Sequence, residues 1–284
     1  MNSKTFHGQD GTSRAYYCWK PKGPSKGDIV LCHGYAEHAG RYAEPASRLN
    51  DGGYTVWALD HYGHGKSEGK RADVKDFRLF AEDVHIFINT IVLPAASKDT
   101  NKNERNPLFL YGHSMGGAIA LLYTIDHQSE LKGLILSGPM VRPGGVSTPL
   151  ERNIAHILRK ILPGLPFRPF PADYLSHDKK VVQAYKNDPL NYIGKMKIRL
   201  ADEFLHMEKY LSDDALARIE LPVLLLHGGD DITVPPSNSQ VIFNNISSKD
   251  KTRKVFPGLY HEIHKEDERE SVFSTICEWI KDRS

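Results

Sequence analysis

A sharp turn between a buried strand and a helix is predicted within residues 108–123, LFLYGHSMGGAIALLY. The stretch opens on an apolar run typical of a short buried strand and closes on one typical of the start of a helix. Between them lies the pattern G-x-S-x-G, made by Gly112, Ser114 and Gly116. A strained strand-to-helix elbow of this kind presents the serine Oγ at the edge of a sheet. Glycine suits positions 112 and 116 because a Cβ at either would crowd the turn.

Strands and helices alternate along the chain on both sides of this elbow. The N-terminal residues predict a hairpin around Asp10-Gly11. Besides the elbow strand, buried strands are predicted at residues 27–32, 54–59, 133–138, 222–228 and 252–258. This alternation predicts an α/β fold with a mostly parallel central sheet flanked by helices on both faces.

The alternation stops after Pro139 and resumes at Pro222. The intervening residues show helical stretches and the proline-rich run PGLPFRPFP, but no strand pattern. Long insertions in a compact domain are usually functional. We therefore expect a core made by residues 1–140 and 221–284, into which residues 141–220 are inserted as a helical cap or lid.

Length and composition limit the class of protein. The 284 residues, 40% of them hydrophobic, are enough for one core with an inserted subdomain. A net charge of +2 does not favour a nucleic-acid partner. The three cysteines form no paired framework, the N-terminal residues lack an apolar leader, and no apolar run approaches membrane-spanning length. These features predict a cytoplasmic protein.

A catalytic serine needs a base, and that base needs an orienting acid, because a hydroxyl is a poor nucleophile near neutral pH. In folds that carry a catalytic serine on such a strand-to-helix turn, the acid and then the histidine follow the serine along the chain. His261 follows the last predicted strand, at the edge of the sheet where catalytic groups collect. We favour it over His264, three residues later, and over His113, which adjoins the nucleophile and should point away.

The acid and the oxyanion hole are expected at the ends of other strands. Asp230 and Asp231 both follow the strand at 222–228, and strand alternation does not choose between them. An oxyanion hole needs two N–H donors. One is the N–H of Met115, at the helix N-terminus, and the other is the N–H of Tyr35, in the loop after the strand at 27–32.

Two other motifs are near matches that fail. DHYGHGKS ends like a phosphate-binding loop, but Asp60 stands where its first glycine belongs. HEIH at residues 261–264 resembles a zinc helix, but the second histidine of that motif would fall on Lys265. The sequence therefore predicts no metal and no cofactor.

Six segments together resemble the monoacylglycerol lipase family of α/β-hydrolases, and they are LCHGYAEHAGRY, LDHYGHGKSEGKR, LFLYGHSMGGAIAL, NDPL, LLLHGGDD and GLYHEIHKE. The resemblance covers nearly the whole chain and is weakest in the cap. It implies the α/β-hydrolase fold. The family's acid lies in the pattern H-G-x-x-D, which selects Asp231, so the implied catalytic triad is Ser114, Asp231 and His261.

The family also lines the glycerol end of its pocket with polar groups, and the matching positions are Glu37, Arg41, Tyr185 and His264. An ion pair between Glu37 and Arg41 that holds the oxyanion loop is an alternative role, and both roles can hold at once. The resemblance implies a lipid ester substrate, monoacylglycerol, cleaved to fatty acid and glycerol through an acyl-serine.

Two other functions are compatible with the same fold. The first is a lysophospholipase or general carboxylesterase that uses the same triad. The second is a catalytically silent binding protein, since fold does not dictate function. The complete set of Ser114, Asp231 and His261 argues against the second, because binding alone would not need it.

The cap segment PLERNIAHILRKILPGLPF predicts a basic amphipathic helix followed by an apolar loop. Apolar residues share one helical face, and these are Ile154, Ile157, Leu158, Ile161 and Leu162, with Arg152, Arg159 and Lys160 elsewhere. Such a helix can lie in a membrane interface or pack on the core. We expect the helix to pack on the core and the loop LPGLPF to contact lipid, in a peripheral association with membranes or lipid droplets.

Overall fold

The structure, a computed structural model, describes residues 2–98, 106–142 and 149–284, without the side chains of residues 98 and 149–154. Its main strands are β1 (Lys4–His7), β2 (Ser13–Trp19), β3 (Asp28–Cys32), β4 (Thr55–Leu59), β5 (Leu108–His113), β6 (Gly133–Ser137), β9 (Val223–Gly228) and β10 (Lys251–Phe256). Two short strands, β7 (Pro166–Arg168) and β8 (Met196–Lys197), precede β9. The helices are α1 (Ala43–Asp51), α2 (Arg78–Phe87), α3 (Leu93–Lys98), α4 (Met115–His127), α5 (Pro149–Ile161), α6 (Lys179–Asn187), α7 (Ile198–Leu205), α8 (Met207–Tyr210), α9 (Asp213–Leu216), α10 (Ser237–Asn245) and α11 (Arg269–Lys281).

The eight main strands form one sheet in the order β1-β2-β4-β3-β5-β6-β9-β10. The first two junctions are antiparallel, and all pairings from β4 to β10 are parallel. The predicted hairpin is β1–β2, and its turn includes Gly11 at φ 78°. The predicted mostly parallel sheet is therefore confirmed.

Both faces of this sheet are covered, because the strands alternate their side chains between two apolar layers. In β3, Val30 and Cys32 pack in the layer that contains α2 and α4. Ile29 and Leu31 pack in the other layer, against residues of α1 and α11. Parallel strands buried on both faces read as continuous apolar runs, which is why the sequence shows them clearly.

The segment between β6 and β9 carries five helices, α5 to α9, among the described residues. It also carries the antiparallel pair β7–β8, in a segment where the sequence shows no strand pattern. These two strands are too short to show a period of two. Their pairing joins residues far apart in the segment, as in Pro166 with Lys197.

The exposed face of α5 contradicts the expected packing of this helix on the core. Ile157 and Ile161 are 57% and 69% exposed, and Leu162 just after the helix is 52% exposed. Ala155, in contrast, is buried. The side chains of Arg152 and Ile154 lie outside the described residues. The apolar stripe of α5 is therefore largely open to solvent rather than covered by the sheet or its helices.

One helical stretch in the described part of the chain, Arg78–Ser97, is long and apolar enough to cross a membrane. It consists of α2, a π-helical turn at Ile88–Val92, and most of α3. This stretch differs from the expectation that no apolar run approaches membrane-spanning length, because polar residues interrupt its apolar ones. Phe80 and Val84 are fully buried in the layer shared with α4, as expected of a helix that packs on the core.

Candidate active site

The nucleophile elbow is formed where β5 ends and α4 begins. Ser114 has φ 55° and ψ −119°, a conformation that a non-glycine residue adopts only under strain. Its N–H donates to the Ser137 carbonyl at 3.0 Å, which ties the elbow to the next strand. A Cβ at Gly116 would collide with the Cys32 carbonyl, and one at Gly112 would collide with Gly116 itself. Both glycines are therefore required by close backbone approach.

Asp231 lies in the turn after β9, and its carboxylate is held from two directions. Oδ1 accepts the backbone N–H groups of Thr233 and Val234, each at 2.9 Å. Oδ2 accepts from Nδ1 of His261 at 2.6 Å, and both side chains are buried. Asp230 points its side chain to solvent. The structure thus brings together Asp231 and His261, the pair that the resemblance selected.

The Asp231–His261 contact determines the protonation of both groups. Burial alone would raise the pKa of Asp231 and lower the pKa of His261. The charge and hydrogen bond of the partner outweigh burial, so the pKa of Asp231 is lowered and the pKa of His261 is raised. Because the carboxylate can only accept, Nδ1 carries the proton, which leaves Nε2 as the basic nitrogen of neutral His261.

A narrow cavity is lined by Ser114 and His261 together. Nε2 of His261 is buried and has no hydrogen-bond partner among the described residues. Phe170 and Leu175, from the segment between β6 and β9, also line this cavity. The elbow serine, a base with a free nitrogen and an apolar wall therefore meet at one site.

The loop after β3 packs directly over the nucleophile. A Cβ at Gly34 would lie 3.2 Å from Cβ of Ser114, so a larger side chain would push the loop away. The N–H groups of Tyr35 and Met115 donate no hydrogen bond to another group in the described part of the chain. Two free N–H donors beside a buried serine are what an oxyanion hole requires.

Comparisons with known proteins match this arrangement to one family. Residues 23–268 match a family model described as serine aminopeptidase, S33. The chain is 37% identical over 276 residues to the monoacylglycerol lipase of Mycolicibacterium smegmatis, covering 97% of this chain and 95% of that protein. It is 35% identical to the monoglyceride lipase of Homo sapiens, covering 94% of this chain and 86% of that protein. The chain belongs to the monoacylglycerol lipase family of serine α/β-hydrolases.

Solved structures agree with this membership. The crystal structure of the Paleococcus ferrophilus monoacylglycerol lipase matches with a TM-score of 0.80 at 31% identity, covering 95% of this chain and 99% of that one. The resemblance noted in the sequence is confirmed, and the chain is a carboxylic ester hydrolase of this lipase family.

Glu37 and Arg41, which the resemblance predicts at the glycerol end of the pocket, lie in a buried ion network. Arg41 donates through Nη1 to Glu37 at 2.5 Å. It also donates through Nη1 and Nη2 to the two oxygens of Glu262, at 2.6 and 2.9 Å. Burial alone would raise the pKa of Glu37, but the Arg41 charge holds it well below its usual range. The sequence does not reveal the role of Glu262, because nothing local signals a contact between residues 221 positions apart.

Tyr185 and His264 occupy different surroundings in this lipase. The Tyr185 hydroxyl donates to the Ala36 carbonyl at 3.1 Å, and its ring lies 4.8 Å from the Arg41 guanidinium carbon. His264 is buried and stacks on Tyr42 with ring centroids 5.2 Å apart. Burial and nearby His113 hold the pKa of His264 well below its usual range. Tyr185 lines the cavity at Ser114, whereas His264 is not among the lining residues.

Three groups of side chains in the described part of the chain are close enough to share a metal ion. They are Glu37, His113 and Glu262, then His156, Asp202 and His206, then His85, His127 and Glu130. In the first group both carboxylates already accept from Arg41, and in the second Asp202 accepts from Arg159 at 2.6 Å. In these two groups an arginine therefore supplies the positive charge at the carboxylates.

Proposed function

We propose that the enzyme hydrolyses monoacylglycerol to fatty acid and glycerol, with Ser114 as nucleophile, His261 as base and Asp231 as orienting acid. The observation that carries this is the Asp231–His261 hydrogen bond of 2.6 Å beside the cavity that Ser114 lines. The family's lipases named above support the ester substrate. A serine with this base and acid performs acyl transfer.

The steps follow from the position of each group. Ser114 Oγ attacks the ester carbonyl while Nε2 of neutral His261 takes the hydroxyl proton. The N–H groups of Tyr35 and Met115 hold the oxyanion, and Asp231 stabilises the imidazolium. His261 then gives its proton to the departing glycerol oxygen. Water, activated by the same histidine, releases the fatty acid and restores Ser114.

We assign the glycerol end of the cavity to Glu37, Arg41 and Tyr185, which line it beside the nucleophile. A pocket that hydrogen-bonds hydroxyls rejects ligands that lack them, because its buried polar groups would stay unpaired. We omit His264 from these contacts, since it does not line the cavity. Phe170 and Leu175 would begin the apolar path for the acyl chain.

The substrate assignment predicts a higher kcat/KM for monoacylglycerol than for triacylglycerol or lysophosphatidylcholine of equal chain length. Tyr185→Phe should reduce kcat/KM for monoacylglycerol about tenfold, and by less for a p-nitrophenyl ester, which has no glycerol to bind. Steady-state kinetics on the four substrates measure both effects. The exposed cap tyrosine Tyr174 offers a control, Tyr174→Phe.

Two outcomes of these assays would contradict the assignment. Equal slowing of all esters by Tyr185→Phe would mean that this hydroxyl only holds Ala36 and the oxyanion loop in place. Faster turnover of lysophosphatidylcholine than of monoacylglycerol would show instead that the enzyme is a lysophospholipase that uses the same triad.

We further propose that the cap meets lipid through the segment 157–167. Its large apolar side chains are exposed, and they are Ile157, Ile161, Leu162, Leu165 and Phe167. Burying apolar surface in a bilayer interface is favourable, and the exposed Lys160 lies in the same segment to meet anionic headgroups. The exposure of α5, which the sequence alone did not predict, extends this surface beyond the loop LPGLPF.

Ile161→Ser combined with Phe167→Ser should weaken binding to phosphatidylglycerol vesicles about tenfold or more, because each change removes up to about 2 kcal/mol of apolar transfer energy and about 1.4 kcal/mol is a factor of ten. Sedimentation of the enzyme with sucrose-loaded vesicles measures the bound fraction. Ile193→Ser is the control, since Ile193 is 71% exposed and lies outside this segment. Equal binding by the double variant and the wild type would show that this surface does not contact lipid.

A further inference from the structure

Arg41 joins two loops that each carry part of the catalytic machinery. Its side chain is 7% exposed and donates to both oxygens of Glu262 in a two-bond fork, the strongest geometry for such a pair. The same guanidinium donates to Oε2 of Glu37. One buried cation thus lies between two buried carboxylates that come from opposite ends of the chain.

On one side, Glu37 controls the loop that provides the oxyanion donor. Its Oε1 accepts the N–H of Gly34 at 2.7 Å and the hydroxyl of Tyr42 at 2.7 Å. Gly34 immediately precedes Tyr35, whose N–H is the proposed donor. A shift of Glu37 would therefore move the peptide that holds the oxyanion.

On the other side, Glu262 immediately follows His261. Its N–H donates to the Leu175 carbonyl at 2.7 Å, and its carboxylate is held by Arg41. Burial alone would raise the pKa of Glu262, but the Arg41 charge lowers this pKa to about 2. The carboxylate is therefore ionised at every pH at which the enzyme works. Glu262, the residue next to His261, is therefore held through its backbone by Leu175 and through its side chain by Arg41.

We propose that Glu262 is a positioning residue for ester hydrolysis. Through Arg41 and Glu37 it fixes the position of the base, His261, relative to the oxyanion donor, the N–H of Tyr35. The inference rests on the proposed triad and goes beyond it by adding a residue outside the triad and the glycerol contacts. Two hydrogen-bonded carboxylates on one rigid guanidinium leave little freedom between the loops. Small displacements of a base or an oxyanion donor are costly, because catalysis depends on near-attack geometry.

Glu262 also adds a fixed negative charge near His261. The charged and titratable groups that face His261 are Asp231, Glu262, Glu37 and His113. The three carboxylates favour the imidazolium, whereas His113, with its ring centroid 4.7 Å away, is kept neutral by burial. Since neutral His261 is the base, activity is lost as the pH falls through its pKa. Removal of one carboxylate charge should therefore move that loss to lower pH.

The test is Glu262→Gln, which keeps the shape of the side chain and removes its charge. We expect kcat for p-nitrophenyl butyrate to fall about tenfold or more with little change in KM, because the loss is in transition-state geometry. We also expect the acid limb of the kcat/KM profile to move to lower pH. Glu262→Asp, which restores the charge at a shorter reach, should return the acid limb toward the wild-type position.

Glu266→Gln is the matched control. Glu266 is a buried carboxylate four positions later that accepts from Tyr260 and His177 but does not touch Arg41. It should leave the acid limb in place even if it lowers the melting temperature. Active-site titration with a fluorophosphonate corrects each rate for folded enzyme.

Two results would overturn the proposal. The first is a wild-type kcat and acid limb in Glu262→Gln, and the second is an equal shift of the limb in Glu266→Gln. The assay uses a p-nitrophenyl ester, so it does not depend on monoacylglycerol being the natural substrate. Failure of the monoacylglycerol assignment and failure of this inference are therefore distinguishable.

Discussion

Ser114→Ala should lower kcat by about five to six orders of magnitude, because no other group can form the acyl intermediate. The fold should be retained. Alanine adopts the elbow conformation at a cost similar to that of serine, and the backbone bond from residue 114 to Ser137 does not involve the side chain. Hydrolysis of p-nitrophenyl butyrate and the melting temperature, measured on the same preparation, separate chemistry from stability.

A control for this variant is Ser274→Ala, which removes an exposed hydroxyl on α11 that bonds only to Glu278 in the described part of the chain. Its kcat should equal that of the wild type. Near wild-type turnover by Ser114→Ala, after exclusion of contaminating esterase, would end the serine-nucleophile mechanism. A lost melting transition would instead show that the elbow needs serine for folding.

His261→Ala should reduce kcat by a similar factor, and His264→Ala by much less. Both histidines are buried and three positions apart, so both variants leave a cavity of similar size. They differ in contacts, since His261 bonds to Asp231 and lines the cavity at Ser114, whereas His264 stacks on Tyr42. The difference in kcat therefore isolates proton transfer from packing.

Added imidazole sharpens this comparison. Imidazole that enters the space left in His261→Ala should restore part of the activity. The restored rate should increase with the concentration of neutral imidazole, because only the neutral form can accept a proton. His264→Ala should show no such response. A larger loss of kcat in His264→Ala than in His261→Ala would reassign the base.

Several features of this protein were readable from the sequence because their causes are local. The buried parallel strands are apolar runs. The elbow is a short pattern whose glycines are needed because a Cβ would collide with nearby backbone. The order serine, acid, histidine reflects the order of the strands, since each group follows a strand end at the same edge of the sheet. Family motifs added the choice of Asp231, which strand alternation alone could not make.

Other features were decided only by the tertiary structure. The fork between Arg41 and Glu262 joins residues 221 positions apart, and no periodicity or motif encodes it. The Tyr185 hydroxyl, which the resemblance predicts to contact glycerol, donates to the Ala36 carbonyl. His264 stacks on Tyr42 and does not line the cavity. The face of α5 is exposed because no element of the described chain covers it. A sequence pattern specifies which side chains share a face, but the partner of that face depends on how distant loops meet when the sheet assembles.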